Sequence, residues 1–479
     1  MKRTYHTTFT LSFITLSSAA LIGCATTASV PETSEINQRI PGTWSNKPQT
    51  SSKAKATNLS KWWKRFDDPV LTDLIQQALK KNTDIRSTLS AIRQARAELG
   101  LANAELWPSI NGNLGASNSR VDDLHSDNTV SSENYNASID ASWEVDLFGQ
   151  QAKYLEASKA ELAASIEDFY DAQVALAAEV ATTYLNLRSN EIKLNIVKEN
   201  ISTREHTLKI IQWQEQAGEN DALSTKQSLS TVEQARAQVP DLEQDIEEIR
   251  NSLAILTGHT PAELKTLKTT AKFPEAPEQL ALTIPANTLE QRPDIRSSKR
   301  KIDAAAANLS ATELSRLPTL NLTGSIGIDA FKAGNFFDPK QTIANAIASL
   351  SAPIWDAGRI SRNIEIQTET LTQAYLNYEA TVLSALSEVE NALSSIDHLN
   401  EELEILQRAS LAASEATQLA QFQYESGESD LLTVLATQRT ELELDQDRIS
   451  TQAEVLQAHV ELYKALGGGW STSSVFTQL

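Results

Sequence analysis

Two stretches of 68 residues, 150–217 and 359–426, contain neither glycine nor proline. Gly149 and Gly218 bracket the first, and Gly358 and Gly427 bracket the second. Glycine and proline are the residues least compatible with a helix interior, so each stretch is expected to run as one helix. At ~1.5 Å per residue such a helix reaches roughly 100 Å, about three times the hydrocarbon thickness of a bilayer. Helices of that length do not belong inside a compact domain. Val180, Leu187, Leu194, Ile201 and Leu208 recur every seven residues in the first stretch, and Tyr375, Val382, Val389, Ile396 and Leu403 do so in the second. This period keeps one seam against a partner helix. A second seam is polar, as at Glu191, Lys198 and Glu205, so one face is expected to pack and the other to meet water.

With 479 residues the chain has room for two or three domains. Its formal charge of -20 disfavours nucleic acid, whose phosphates need a basic face. Lys2 and Arg3 precede a short apolar segment, Leu11 to Ile22, that ends in Leu21-Ile22-Gly23-Cys24. A basic start followed by a short apolar run is the pattern of an export signal, here residues 1–23. Leu-Ile-Gly-Cys resembles a bacterial lipobox, which implies lipid on Cys24; Ala25 after the cysteine implies sorting to the outer membrane. Cys24 is the only cysteine, so no intrachain disulfide can form.

Residues 24–60 are rich in Ser, Thr, Lys and Pro without apolar periodicity and read as a linker. An apolar stripe at helical spacing follows from Leu71 through Leu74, Ile75, Ala78 and Leu79, and a second helix is expected from about Asp84 to Leu106. Beyond Pro108 the period changes. Tyr135, Ala137, Ile139, Ala141, Trp143 and Val145 alternate with Asn136, Ser138, Asp140, Ser142, Glu144 and Asp146, which places one face in an apolar medium and the other in a polar one. Strands are expected at about 108–118 and 134–146, joined by a polar loop. The first long helix then leads to a tip at 218–221 and a return helix, with Pro240 as a candidate kink. Five prolines between 260 and 293 mark a connector.

The second half repeats the first. Asp84, Pro108, Asn111 and Asp146 recur as Asp294, Pro318, Asn321 and Asp356; past a one-residue deletion, Gly218, Asp221 and Gly258 recur as Gly427, Asp430 and Gly467. Repeat 1 spans 61–259, repeat 2 spans 294–470 with strands at about 318–329 and 342–354 and a tip at 427–430, and 471–479 is a tail. Each half is therefore a β-hairpin plus very long coiled-coil helices. Four strands cannot close in lipid, because even the smallest membrane barrels use about eight. The fold class is an α+β membrane protein in which the hairpins enter a barrel shared between chains; three chains give twelve strands.

Trp62-Trp63 with Phe66-x-Asp68-Pro69-x-Leu71, Trp143-Glu144-Val145-Asp146-Leu147-Phe148-Gly149, Arg292-Pro293-Asp294-Ile295 and Lys464-Ala465-Leu466-Gly467-Gly468-Gly469-Trp470 resemble the TolC-like outer-membrane efflux family, in its lipoprotein, NodT-type branch. The resemblance covers about Lys61 to Trp470. It implies a homotrimeric channel in the outer membrane, lipid-anchored and barrel-inserted, extending into the periplasm as an α-barrel. It also implies a periplasmic adaptor and an inner-membrane pump as partners, commonly a proton-driven one. By the same resemblance Tyr424 and Leu432 are constriction residues, and Gly218, Glu219, Asp221, Gly427, Glu428 and Asp430 form the tips that meet the adaptor. Ordinary coiled-coil packing is the other reading of Tyr424 and Leu432, and a solvated acidic turn is the other reading of the tip carboxylates. Gln423, Thr433 and Ala436 depart from charged residues common in the family, so the expected lock is apolar and hydrogen-bonded rather than ionic.

No catalytic constellation, metal-ligand spacing among the six histidines, or phosphate-binding Gly-x-x-x-x-Gly-Lys-Ser/Thr loop is found, so the expectation is a passive duct without a cofactor other than the covalent lipid. The alternatives are a channel for protein secretion and a non-conducting coiled-coil scaffold lipoprotein; membrane-length alternating strands disfavour the scaffold. In cells fed labelled palmitate, the natural protein is expected to become labelled and Cys24→Ala to lose the label; equal labelling of both would exclude lipid at Cys24.

Overall fold

The computed structural model describes residues 59–122, 129–264, 273–274, 276, 286–336, 338 and 342–471. The segment 1–23, Cys24, nearly all of the linker, most of the connector and the tail from 472 lie outside the described residues. In chain order the elements are α1 (Pro69–Lys81), α2 (Thr83–Ala104), β1 (Ser109–Asp122), β2 (Thr129–Val145), α3 (Gln150–Ala217), α4 (Ala222–Leu256), α5 (Pro261–Leu264), α6 (Pro293–Leu314), β3 (Thr319–Ala330), β4 (Thr342–Ser351), α7 (Arg359–Glu425) and α8 (Leu431–Ala465). No helix among the described residues is long and apolar enough to cross a membrane.

Ala102–Ala157 and Ala305–Gln373 form one compact unit, built on an antiparallel sheet in the order β1-β2-β3-β4. Its register keeps like with like. Ile110, Ala141, Gly324 and Ala346 lie side by side across the four strands, as do Asn111, Asp140, Ser325 and Asn345 one residue along. The apolar and polar faces inferred from alternation are therefore continuous across the sheet, which a slip of one residue would destroy. The polar face is knitted by Asn113 and Ser138, which both donate to Asp140.

Three strand limits differ from the sequence expectation. β1 and β2 remain paired as far as Asp122 opposite Thr129, well into the stretch read as a loop. The ladder propagates outward from the membrane-length part for as long as both backbones stay extended, whatever the polarity of the side chains. β4 stops at Ser351, short of 354, because Pro353 has no N–H to give the ladder. Its weak alternation also has a cause: Ile343 and Ile347 pair with Gly327 and Thr323, and so fall on the polar face.

The second unit comprises the described chain up to Leu101, Ser158–Ala304, and Ala374 onward. Val180, Leu187, Val382, Val389 and Ile396 of the seven-residue seams are buried. The polar seam meets water but is also paired. Glu191, Lys198 and Glu205 of α3 pair with Arg250, Glu243 and Arg236 of α4 at 2.8, 3.1 and 2.6 Å. Each step of seven residues down α3 is matched by seven back up α4, so the pairs form an antiparallel charge ladder. The Lys198–Glu243 and Glu205–Arg236 pairs are about half exposed and contribute about 0.2–1 kcal/mol each, while Glu191 and Arg250 are more covered. The second hairpin carries neutral groups at five of the six equivalent positions: Asn400 and His459, Gln407 and Gln452, Ser414 and Asp445. α4 itself is continuous through Pro240.

Both return helices end in the same way. Gly258 and Gly467 have φ of 69°, and the N–H of each bonds the carbonyl three residues back, at Ile255 and Lys464; the following N–H reaches Ala254 and Tyr463. This is the Schellman arrangement that satisfies terminal carbonyls. A side chain from the other end of the repeat takes one more carbonyl: Asn82 donates to Leu256 at 3.0 Å, and Arg292 to Ala465 at 2.7 Å. The backbone presses so close that a Cβ on Gly258 would lie 2.7 Å from the Lys81 carbonyl oxygen.

The Gly467-Gly468-Gly469-Trp470 motif is explained residue by residue. A Cβ on Gly468 would meet Leu59 at 3.1 Å, and Gly469, at φ 111°, donates its N–H to the Leu59 carbonyl at 3.0 Å. Trp470 packs on Tyr170 with ring centres 4.5 Å apart and carries the Arg296 guanidinium over its face. Trp62 and Trp63 are buried, Trp62 stacking on Tyr463 at 5.4 Å. Trp62 therefore packs the start of the described chain against α8. Asp68 caps α1 through Val70 and Leu71 and accepts from the Tyr184 hydroxyl at 2.7 Å.

Gly218 also has positive φ, but a Cβ there would meet nothing within 4 Å. Gly218→Ala is thus expected to cost only the left-handed strain, about 1–2 kcal/mol, whereas Gly258→Ala adds a clash with backbone. Thermal unfolding should show the larger loss for Gly258→Ala; equal losses would mean that the close approach carries no weight.

Candidate functional site

The two tips share one design. Gly218 and Gly427 stand at φ 74° and 78°, each donating to the carbonyl three back, at Glu215 and Tyr424, while Glu219 and Glu428 reach Gln214 and Gln423. Two residues later Asp221 and Asp430 cap the return helices, accepting from Ser224 and Thr433 at 2.9 and 2.8 Å. For Asp430 the Thr433 hydroxyl, donating at 2.7 Å, and then the Thr433 amide stabilise the ionised form, and for Asp221 the Ser224 amide does so first; both carboxyls are held below the usual aspartate range. The tip residues named from sequence are thus first of all turn-makers, and the rest of their surface is open. Glu219 and Glu428, with Glu215 and Glu425 at the helix ends, keep both tips acidic.

Tyr424 ties the second tip to the first. Its hydroxyl donates to Gln214 Oε1 at 2.7 Å and accepts from Asn220 Nδ2 at 3.1 Å, and Asn220 also donates to Gln214 at 3.2 Å. The triangle closes entirely through neutral groups. Burial pushes the Tyr424 hydroxyl above its ordinary range, so it stays protonated and able to donate. Leu432, its partner from sequence, is not in this contact: it is 58% exposed while its neighbours Leu431 and Val434 are buried. The structure therefore separates the two candidate constriction residues, one engaged within the chain and one facing outward.

The outward residues repeat as well. Trp213 and Phe422, at equivalent positions of the long helices, are 65% and 69% exposed; Leu223 and Leu432, at equivalent positions in the first turns of the return helices, are 62% and 58% exposed. A large apolar side chain left in water twice over, at the same place in both repeats, marks a surface rather than a packing accident. No group of three or more metal-ligating side chains occurs among the described residues.

On the sheet, the polar face carries Asp140, Glu144 and Asp329 and, among the described residues, no Lys or Arg. A bore lined in this way favours cations.

Two segments of the chain, 74–259 and 284–468, match the family model described as outer membrane efflux protein. The chain belongs to the outer membrane efflux protein family. The paired match follows the internal repeat. The chain is 32% identical over 469 residues to the pyoverdine export outer membrane protein OpmQ of Pseudomonas aeruginosa, covering 95% of this chain and 96% of that one. It is 27% identical to the probable outer membrane lipoprotein SilC of Salmonella typhimurium, covering 96% and 99%. Among solved structures it is similar to the outer-membrane channel OprN, with a TM-score of 0.82 and 28% identity over 90% of this chain and 98% of that one. It is an outer-membrane efflux channel with a TolC-like fold that extends into the periplasm.

Gln214, Trp213 and Phe422 were not among the residues named from sequence, and Asn220 was named only as part of the turn at 218–221. Trp213 and Phe422 carried a signal, since both are aromatic, five residues before a tip glycine, in a polar neighbourhood. Gln214 and Asn220 carried none, because their partner lies some two hundred residues away. Opening the triangle is expected to loosen the closed state. In bilayer recordings Gln214→Ala and Tyr424→Phe should each raise single-channel conductance over the natural protein, with little change in the effect between low and high salt; a rise that vanishes in high salt would indicate an ionic lock instead.

Proposed function

We propose that three copies of the chain close a twelve-stranded barrel and serve as the passive exit duct of a tripartite efflux system. The tips receive a periplasmic adaptor, and the adaptor joins the duct to an inner-membrane, proton-driven pump. The observation that carries this reading is the duplicated tip surface, in which an exposed aromatic and an exposed leucine flank an acidic turn in each repeat. Such a surface fits a helical hairpin that brings apolar side chains and basic residues, and it offers that hairpin two quasi-equivalent seats per chain. The unpaired edges of β1 and β4 support the trimer, since each can be satisfied only by another copy.

The load assigned here is a small solute, in line with the pyoverdine named for OpmQ, and its choice rests with the pump. Cys24 carries the lipid that holds the chain to the membrane, as the lipoprotein naming of SilC suggests. Tyr424 and Leu432 form the periplasmic constriction, Tyr424 through hydrogen bonds within each chain and Leu432 through apolar contact between chains that the docked adaptor replaces on opening.

Crosslinking in intact membranes, followed by mass spectrometry of what is held at the tips, tests the reading. Recovery of an adaptor together with a proton-driven exporter is expected. An ATP-driven secretion exporter would move the function to protein export. The double variant Trp213→Ser, Phe422→Ser should still insert and assemble but lose the adaptor and become several-fold more sensitive to exported compounds; unchanged capture and efflux would remove the docking surface from the proposal.

A further inference from the structure

The sheet contains one complete joint between repeats. β2 of the first repeat pairs with β3 of the second, and the outer strands β4 and β1 are the edges that a further repeat would meet. The register of β2 on β3 is therefore a template for β4 on β1 of another copy. Pro108 and Asn111 recur as Pro318 and Asn321, so each residue of β3 matches the residue of β1 that lies 210 positions earlier. Leu320 is then the counterpart of Ile110, and Gly324 that of Leu114. For β4 the hairpins give the match. Ile110 faces Ala141 in the first hairpin and Leu320 faces Leu350 in the second, so Leu350 stands where Ala141 stands. By the same rule Ala348 stands for Ile139, and Ala346 for Ala137.

Across the joint Ala141 faces Gly324, Ile139 faces Ile326 and Ala137 faces Ile328. The counterparts of these three β3 residues in β1 are Leu114, Ala116 and Asn118. We propose that β4 of one copy pairs antiparallel with β1 of the next in a single register, with Leu350, Ala348 and Ala346 opposite Leu114, Ala116 and Asn118 of the next copy. This seam rests on the shared-barrel reading and specifies it residue by residue.

The two strands agree with this register in their faces and in their ends. Leu350, Ala348 and Ala346 lie on the apolar face, as do Ile110 and Leu114, so both faces run unbroken across the seam; a slip of one residue would exchange them. Thr342, where β4 begins, comes level with Asp122, where β1 ends, and Ser351 comes level with Asn113, so all of β4 finds partners within β1. The outer end of β1, which runs past the stretch expected from sequence, is then what the start of β4 pairs with. Slips of two or four residues toward the foot of β1 also keep the faces, placing Leu350 opposite Gly112 or Ile110. The stagger separates these cases. From Ile110 through Ala141 to Gly324, the counterpart of Leu114, one repeat advances the register by four residues. A barrel closes only with a fixed stagger, and like repeats take like shares of it. The proposed seam advances by four again, from Gly324 through Ala346 to Asn118, the counterpart of Ile328. The slipped seams advance by two or not at all, so successive joints would lean differently.

Disulfide trapping of the full-length protein in outer membranes tests the register. Leu350→Cys is combined in turn with Leu114→Cys, Gly112→Cys and Ile110→Cys, which share one face of β1, and a Cβ at Gly112 meets open space. After oxidation, covalent dimers and trimers are read on non-reducing gels. The pair with Leu114→Cys is expected to give several-fold more of them than either other pair. Ala348→Cys with Ala116→Cys, a separate pair in the same register, should cross-link as well as the first. Each single variant sets the background, including any contribution from Cys24. Leu350→Cys with Leu320→Cys, which face each other within one chain, reports that the hairpin is folded and within reach of the oxidant. Dominance of the Gly112 or Ile110 pair would overturn the register and leave the shared barrel standing. Interchain products from none of the pairs, with the Leu320 pair oxidised, would overturn the shared barrel and the seam with it.

Discussion

A backbone N–H or C=O that faces hydrocarbon without a partner costs several kcal/mol, and β1 and β4 each present a full row of them. The chain cannot cure this alone, since β1 and β4 are the outer strands of a four-stranded sheet and short connections tie the strands as hairpins. A partner strand must continue the register, and it must do so without flipping the faces. The sheet is prepared for this. Small residues, Ala344, Ala346 and Ala348, take three successive positions on the apolar face of β4. Small, regular edges tolerate a neighbour whose own side chains are not selected in the same chain. From this one constraint follow the shared barrel, the bore, and the absence of any apolar helix of membrane length among the described residues.

The repeat preserves backbone chemistry and lets side-chain pairing diverge. Both halves retain the glycines at positive φ that end the long and the return helices, and both retain an aspartate to begin the return helix. Asp146 and Asp356 likewise accept from the first free amides of α3 and α7. These features set where a helix starts and stops, and a change there would shift every later residue. The faces between helices are under no such rule. The first hairpin is fastened by three ion pairs in step, whereas the second replaces most of those charges with neutral side chains and has the Ser410–Asp445 contact at 2.5 Å between its helices. One fold unit, used twice, thus yields two apolar-packed hairpins, of which the first adds a ladder of ion pairs.

That division explains what could be read from the sequence. Helix limits were legible because Gly218 and Gly427 announce themselves, and strand faces because alternation in β2 and β3 is unbroken. The fourth strand was faint, since Ile343 and Ile347 put apolar groups on its wet side. The polar seam of α3 meets water, as its composition implies, and also a charged seam of α4, which the sequence of one helix does not show because it tells which residues share a face and not what lies opposite. The missing half of that signal was present: Arg236, Glu243 and Arg250 have the same seven-residue spacing with complementary charge. The Tyr424 triangle had no such echo. It joins a helix end, a loop and another helix end through single neutral side chains, and nothing periodic points to it.

The neutral character of that triangle bears on how a partner could open it. Each of its hydrogen bonds is worth about 1 kcal/mol net, so in the proposed trimer a latch built from three such triangles would hold by something on the order of 5–10 kcal/mol. Salt does little to weaken such bonds, and no titration near neutrality breaks them. Opening must therefore come from a ligand that binds the open arrangement better than the closed one by a comparable amount. Burying Trp213, Leu223, Phe422 and Leu432 beneath a docked hairpin supplies apolar area worth roughly 1.5–3 kcal/mol per fully covered side chain. Twelve such residues in the proposed trimer exceed what the latch holds, provided that more of their area is covered in the open form. In the proposed duct the duplicated tip surface and the neutral latch would then be matched parts, the first providing the free energy that opening the second requires.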